Sequence, residues 1–162
     1  MTTPEDLMEF LLGEGITTRT YDHVPVSTVE ESRRLRGDLP GGHCKSLFLR
    51  DKKRNLWLVV ALEHRKIELK RLRHTLGAQK NLSFGSPELL LEVLGVEPGA
   101  VTPFAVLNDR GRRVQVVLDR GMLDIAPLNY HPLRNDRTTA ISPEDLLRFL
   151  HACGHEPQLV DF

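Results

Sequence analysis

The chain has 162 residues, of which 40% are apolar and 27% charged, with 22 basic side chains matched by 22 acidic ones. That length suffices to bury a core in one domain of common size, and the composition is that of a globular chain rather than a disordered tail. A formal net charge of zero argues against a non-specific nucleic-acid coat but leaves room for a local basic patch.

The only cysteines, Cys44 and Cys153, are too few for a disulfide framework or a thiolate zinc site, so a reducing, cytoplasmic setting is expected. No apolar run is long enough to span a membrane, and the acidic start Met1 to Asp6 lacks a signal-peptide pattern.

Thr3, Pro4, Glu5 and Asp6 predict a helix start, followed by the apolar residues Leu7, Met8, Phe10, Leu11 and Leu12 and ended by Gly13 and Gly15. Ile16 to His23 reads as a strand, broken at Val24-Pro25-Val26. Ser27-Thr28-Val29-Glu30 is a capping box and predicts a second helix to about Arg36, stopped by Gly37. Asp38 to Gly42 is a loop by composition.

Cys44 to Asp51 and Asn55 to Leu62 predict two hairpin-linked strands around the charged turn Asp51-Lys52-Lys53-Arg54. The second, Leu56 to Leu62, is apolar on both faces and should be central. Lys66 to Leu76 reads as a helix capped by Gly77, and Ser86-Pro87 opens another that closes at Gly95. Val96 to Phe104 is punctuated by Pro98, Gly99 and Pro103 and reads as a loop, followed by a short strand from Phe104 to Leu107. A strand at Val114 to Leu118, two or three more between Met122 and Ile141, and a last helix from Ser142-Pro143 to near Gly154 complete the prediction. The fold class is therefore α/β: a single domain spanning residues 1–162, with a mixed, largely antiparallel central sheet wrapped by helices.

Several chemistries lack their residues. There is no P-loop and no dinucleotide fingerprint. His43 and Cys44 are strand neighbours that point to opposite faces, which argues against a nucleophile and base pair. No His-x-Glu or His-x-x-x-His pair is joined by a Cys-x-x-Cys partner, so no metal site and no cofactor is expected, and most of the histidines should lie on the surface or in loops.

Three positive candidates remain. Lys45 follows the pair Gly41-Gly42 where loop gives way to strand; it could hold an ammonium towards a substrate or be an ordinary surface lysine. The loop Gly99 to Pro103 could aim backbone N–H groups at an oxyanion or simply connect two elements. Asn129 and His131 could line a pocket or form a structural hydrogen-bonding pair. Arg50, Lys52, Lys53 and Arg54 on the hairpin, with Lys66, Lys70, Arg71, Arg73 and Lys80 on the next helix and loop, could form a stripe for nucleic acid or solvated faces.

Four stretches, taken together and in order, bear a resemblance to a known family. They are Gly42-His43-Cys44-Lys45 with Leu47-Phe48-Leu49, Leu94 to Phe104, Asn129-Tyr130-His131-Pro132-Leu133 with Asn135, and Thr138-Thr139-Ala140-Ile141. The chain resembles the YbaK and prolyl-tRNA-synthetase-associated domain family, and within it the free-standing prolyl-tRNA editing proteins. The resemblance implies a YbaK-like fold and hydrolysis of mischarged tRNA, specifically alanine on the tRNA for proline. It implies Lys45 as the catalytic lysine, and Gly99, Ala100, Val101, Thr102 and Pro103 as the loop that positions the aminoacyl group through its backbone. It places His131 in the pocket that sets side-chain size, with Asn129 beside it, and Ser46 at a substrate-binding position where that branch often has asparagine. The implied partners are the acceptor end of tRNA, bound through Arg50, Lys52, Lys53 and Lys80, and prolyl-tRNA synthetase; the protein itself is expected to be a monomer. Alternatives are a deacylase for another mischarged amino acid, such as cysteine or serine, and a tRNA-binding or regulatory module without catalysis.

Overall fold

A computed structural model describes residues 2–25 and 39–162. The helix expected from Ser27 to Arg36 falls outside them. Along the chain come α1 (Pro4–Gly13), β1 (Arg19–Asp22), β2 (Gly42–Arg50), β3 (Leu56–Leu62), α2 (Leu69–Leu76), β4 (Ser83–Phe84) and α3 (Pro87–Leu94). A 3-10 helix (Pro103–Asn108), β5 (Val114–Asp119), a second 3-10 helix (Arg120–Asp124), β6 (Leu128–Tyr130), β7 (Arg137–Ile141), α4 (Pro143–Ala152) and β8 (Gln158–Val160) follow.

The helix starts obey their local chemistry. The Thr3 hydroxyl accepts from the Asp6 N–H at 3.1 Å, while the Asp6 carboxylate accepts from the Thr3 N–H at 2.9 Å. This closes a reciprocal cap that satisfies two otherwise orphaned donors. The Ser86 and Ser142 hydroxyls cap α3 and α4 more simply, each accepting one N–H bond, from Leu89 and from Asp145, and each serine is followed by proline. Gly77 and Gly95 end α2 and α3 with φ of 68° and 65°, a left-handed conformation that glycine adopts without steric penalty.

The strands form one mixed sheet in the order β1-β7-β6-β2-β3-β5-β8, with β4 also paired to β2. The β2–β3 hairpin is antiparallel, as are β1–β7, β6–β7 and β2–β4. The pairings β2–β6, β3–β5 and β5–β8 are parallel. The sheet is therefore mixed as expected, with parallel pairings on both sides of the β2–β3 hairpin. Every residue of β3 is buried, in keeping with its continuous apolar run.

Alternation divides the two faces of β2 and β3. On one face Phe48, Leu58, Val60 and Leu62 pack with Leu7 and Leu11 of α1, Leu90 and Leu94 of α3, and Phe149 of α4. Phe104 stacks edge-on against both Phe149 and Tyr130 in this layer. On the other face Leu49, Trp57, Val59 and Val117 pack with Leu72 of α2, Leu82 and Val160.

Three local readings differ from the structure. The segment from Phe104 to Leu107 is 3-10 helix rather than strand: Pro103 suits a first helical position, the Thr102 hydroxyl accepts from the Phe104 N–H at 3.3 Å, and Phe104, Ala105 and Val106 are all buried in succession. A buried apolar run of that length has no periodicity to separate helix from strand. Helix α2 begins at Leu69, so Lys66 and Ile67 precede it. The short strands β4 and β8 carry too few residues to announce an alternating pattern.

His155, in the loop before β8, is buried, with only 6% exposure. Its Nε2 lies 3.6 Å from Asp109 Oδ2. Burial pushes its pKa below the usual 6.5, the Asp109 carboxylate opposes that shift, and the Arg112 guanidinium adds to it. The folded protein thus binds this proton less readily than the unfolded chain. Stability from this site is complete above about pH 6.5 and declines as the pH falls through the folded pKa. Thermal melts of the wild type and of His155→Gln should show a shallower acid-side loss of Tm in the variant; equal slopes would remove His155 from the acid response.

Candidate active site

Lys45 lies near the start of β2 and pairs across the hairpin with Ala61. It shares a face of the sheet with Leu47 and Leu49. That face is apolar towards the Arg50 end of β2, where α2 covers it, and polar towards the Gly42 end. In the polar part stand His43, Lys45, Asn129 (register partner of His43) and Asp119, which follows the Val60–Leu118 pair of the β3–β5 ladder. Ala61 separates Lys45 from the strand bearing Asp119, and so small a side chain leaves room above it.

Asp119 is fully buried. Its Oδ2 accepts from the Arg65 guanidinium at 2.9 Å and from the Leu62 N–H at 3.2 Å, and its Oδ1 accepts from the Gly121 N–H at 3.1 Å. A Cβ on Gly121 would come within 2.5 Å of the Arg65 guanidinium, so a larger residue there would push that side chain aside. The Arg65 backbone carbonyl in turn accepts a hydrogen bond from Lys45 Nζ. A lysine ammonium carries three donors, so two remain for a ligand. Partial burial pushes the Lys45 pKa down, while the Glu63 carboxylate pulls it back up.

Asn129 is buried, and its Nδ2 donates to the carbonyls of Pro40 at 3.0 Å and Gly42 at 3.1 Å. Its Oδ1 is buried without a partner among the described residues. A buried amide oxygen with no donor is costly, which leaves Asn129 Oδ1 as an unmatched acceptor on the Lys45 side of the sheet. Cys44, on the opposite face, has its thiol pushed up to about 12 by burial and so is no nucleophile at neutral pH.

Ser46 pairs with Val60 and projects to the opposite face from Lys45. In the Gly99–Pro103 loop, Gly99 has φ 91°, Ala100 and Pro103 are buried in the core layer of Phe48 and Leu58, and the Thr102 side chain caps the following 3-10 helix. The Ala100 N–H donates to Glu97 O at 3.0 Å. The N–H groups of Gly99, Val101 and Thr102 have no acceptor among the described residues. His131 Nδ1 lies 2.9 Å from Arg137 O, and its ring is 6.1 Å from that of His23.

Lys52, Lys53 and Lys80 are exposed at the far end of β2 and are brought together by a residue that reads as an ordinary turn acid. Asp51 is 1% exposed and accepts from the N–H groups of Lys53, Asn55 and Gln79 and from Asn55 Nδ2. The Lys52 N–H donates to Gln79 O at 3.2 Å, completing the join between the two loops. Burial would raise the Asp51 pKa, but these donations together hold it below the usual carboxylate value. Arg50 diverges from the three lysines, lining a separate cleft of about 330 Å³ with Arg54, Glu88, Glu92 and Arg113.

Among the described residues no group of three or more His, Cys, Asp or Glu side chains is placed to share a metal ion, and no helix is long and apolar enough to cross a membrane. Arg65, Asp119 and Asp51 escaped the sequence reading because nothing in their local context distinguishes them from solvated charges. The one available hint is that Asp119 ends an apolar strand and is followed by glycine two residues on.

Comparison with known proteins converges on the same reading of the chain. Residues 23–149 match the family model for the aminoacyl-tRNA editing domain. The chain is 41% identical over 160 residues to prolyl-tRNA synthetase associated domain-containing protein 1 of Danio rerio, covering 98% of this chain and 86% of that one. It is 40% identical over 135 residues to the prolyl-tRNA editing protein ProX of Acetoanaerobium sticklandii, covering 83% and 82%. In fold it resembles the crystal structure of the hypothetical protein APE2540, with a TM-score of 0.76 at 20% identity over 96% of this chain and 97% of that one. The match spans most of the chain and includes β2, β3, β5 and β6 around Lys45, so this protein belongs to the aminoacyl-tRNA editing domain family.

Proposed function

We propose that the protein hydrolyses the ester bond of alanine mischarged on the tRNA for proline. The observation that carries the reading is Lys45, half-buried on a rigid strand with its ammonium tethered to the Arg65 carbonyl and further donors to spare. An aminoacyl ester is already activated, so water can attack it without a protein nucleophile. The protein's task is to orient the ester, stabilise the oxyanion and exclude the correct amino acid.

In this proposal Lys45 acts as a fixed cation and donor rather than as a base. Its remaining N–H groups meet the carbonyl oxygen as negative charge develops there. The Gly99, Val101 and Thr102 N–H groups position the aminoacyl moiety, and the orphan Asn129 Oδ1 accepts from its α-ammonium. His131 helps set the space for the side chain; Ser46, on the opposite face of β2 from Lys45, takes no direct part. Water, oriented by the neighbouring ribose hydroxyl, adds to the carbonyl carbon; collapse of the tetrahedral species expels the esterified ribose oxygen, which takes up the proton the water gives up through that hydroxyl, releasing free alanine and uncharged tRNA. Lys52, Lys53 and Lys80 hold the tRNA backbone, with Arg50 in the adjoining cleft. Prolyl-tRNA synthetase is the proposed source of the mischarged substrate.

The test is a side-by-side deacylation time course on the tRNA for proline charged with alanine or with proline. Overpacking a tight site costs roughly 1–3 kcal/mol, so alanine should be removed on the order of ten- to a hundredfold faster. Lys45→Ala should abolish cleavage while retaining a wild-type circular dichroism spectrum. Equal rates for the two esters, or full activity in the folded variant, would refute the assignment.

Asp119→Asn keeps a similar shape but removes the charge that holds Arg65. The expected result is a fall in kcat of up to about a hundredfold with little change in KM, as for a misplaced reacting group. A matched loss of KM and Tm without that kcat effect would mark Asp119 as structural only.

Replacing Lys52, Lys53 and Lys80 together with alanine should weaken tRNA binding and flatten its salt dependence. At about 0.9 per phosphate contact, the slope of log affinity against log salt should decrease by up to about three. An unchanged slope would place the docking face elsewhere.

A further inference from the structure

Phe84 is 61% exposed, and a single exposed ring becomes informative through its seating and its neighbours rather than through exposure alone. It lies on β4, where Leu49 of β2 is its register partner. The ring therefore springs from the same face as Lys45, displaced towards the other end of β2. Four residues at ~3.3 Å each put it about 13 Å from Lys45 along the strand. The backbone beneath it is firmly seated. Leu82 is buried against Leu49 and Leu72, the Gly85 N–H donates to Phe48 O at 2.9 Å, and a Cβ on Gly85 would meet the Phe48 ring at 2.4 Å.

The loop that leads into the ring carries and binds cationic residues. Lys80 is exposed four residues earlier in the chain. The Arg73 guanidinium of α2 donates to Asn81 Oδ1 at 2.9 Å. Lys52 is fixed to the same loop through Gln79. The acid between them, Asp51, is buried and engaged by backbone and amide donors. An exposed aromatic ring fixed on a strand and flanked by positive side chains is the arrangement that binds single-stranded nucleic acid, with bases stacking on the ring and phosphates meeting the cations.

We propose that Phe84 is a stacking platform for a base in the single-stranded 3′ end of the tRNA, a few nucleotides from the esterified ribose at Lys45. The span of about 13 Å corresponds to about four stacked nucleotides at ~3.4 Å each, and to fewer in an extended strand. The proposal rests on the editing reading and adds to it a contact with the tail instead of the duplex. It also gives a reason why the ring is left uncovered: stacking tolerates any base, so the contact fixes distance from the catalytic lysine without reading sequence.

The experiment measures binding of uncharged tRNA for proline, with its 3′ tail and with the tail removed, to wild type and to Phe84→Ala and Phe84→Trp. Wild type should prefer the tailed tRNA. Phe84→Ala should bind tailed tRNA about ten- to a hundredfold more weakly and tail-less tRNA unchanged. Phe84→Trp should retain tail-dependent binding, and its indole fluorescence should be quenched by tailed tRNA over the constant background of the chain's one native tryptophan, Trp57. Wild-type affinity for tailed tRNA in Phe84→Ala, or equal losses on both RNAs, overturns the platform. If deacylation of the alanine ester persists in that variant, the editing reading stands without it. A wild-type protein that neither binds nor deacylates tRNA overturns both. A shift in sedimentation from dimer to monomer in Phe84→Ala, with tRNA binding intact, overturns the platform in favour of contact with a second copy of the chain.

Discussion

A carboxylate with no exposure to water must find donors on every side, and the geometry of the candidate site follows from how Asp119 does so. Burying a charge costs several kcal/mol unless it is paired and hydrogen-bonded. Asp119 is matched by a guanidinium and two backbone N–H groups drawn from the end of β3, the turn after it and the start of the second 3-10 helix. Those bonds determine where the turn at Arg65 runs. The turn then presents its carbonyl to Lys45. The lysine is thus placed by a chain of contacts across three adjacent strands, with Ala61 supplying clearance in the middle.

The same face of the sheet does two jobs, and a boundary within β2 separates them. Beyond Leu47 the odd-numbered side chains belong to the packed layer beneath α2. Before it they are polar. A helix as short as α2 has little intrinsic stability in water and depends on the apolar stripe it covers. It therefore stops where that stripe stops, and the polar end stays available for chemistry. The opposite face has no such division: α1, α3, α4 and the aromatic cluster of Phe104, Tyr130 and Phe149 close it.

Much of this architecture is legible in the sequence because its signals are local. Thr3, Ser86 and Ser142 each precede proline and define helix starts, and the unbroken apolar run of β3 identifies the central strand. The hairpin that carries Lys45 is visible from its charged turn. What sequence reading cannot reach is pairing between distant segments. The parallel neighbours β5 and β8 share no turn with their partners, and β4 gains its identity only from lying against β2. The same holds for charge. Asp51 and Asp119 look like any surface acid until their donors arrive from residues 28 and 57 positions away. Phe104 shows the reverse case, where a local apolar run is ambiguous and the hydroxyl of Thr102 decides for a 3-10 turn.

Under the proposed function, the clamp formed by Asp51 also bears on how cooperatively the tRNA backbone would be held. Two loops that moved independently would each lose their freedom when a phosphate arrived, and that ordering cost would be subtracted from the affinity. Here Asp51 and the Lys52–Gln79 bond join the loops during folding, so the lysines they carry behave as one multivalent body. Once the first phosphate is engaged, the next meets its cation as an intramolecular event at high effective concentration. A carboxylate that never touches the ligand, and whose charge would repel it, can in this way strengthen the ligand's retention.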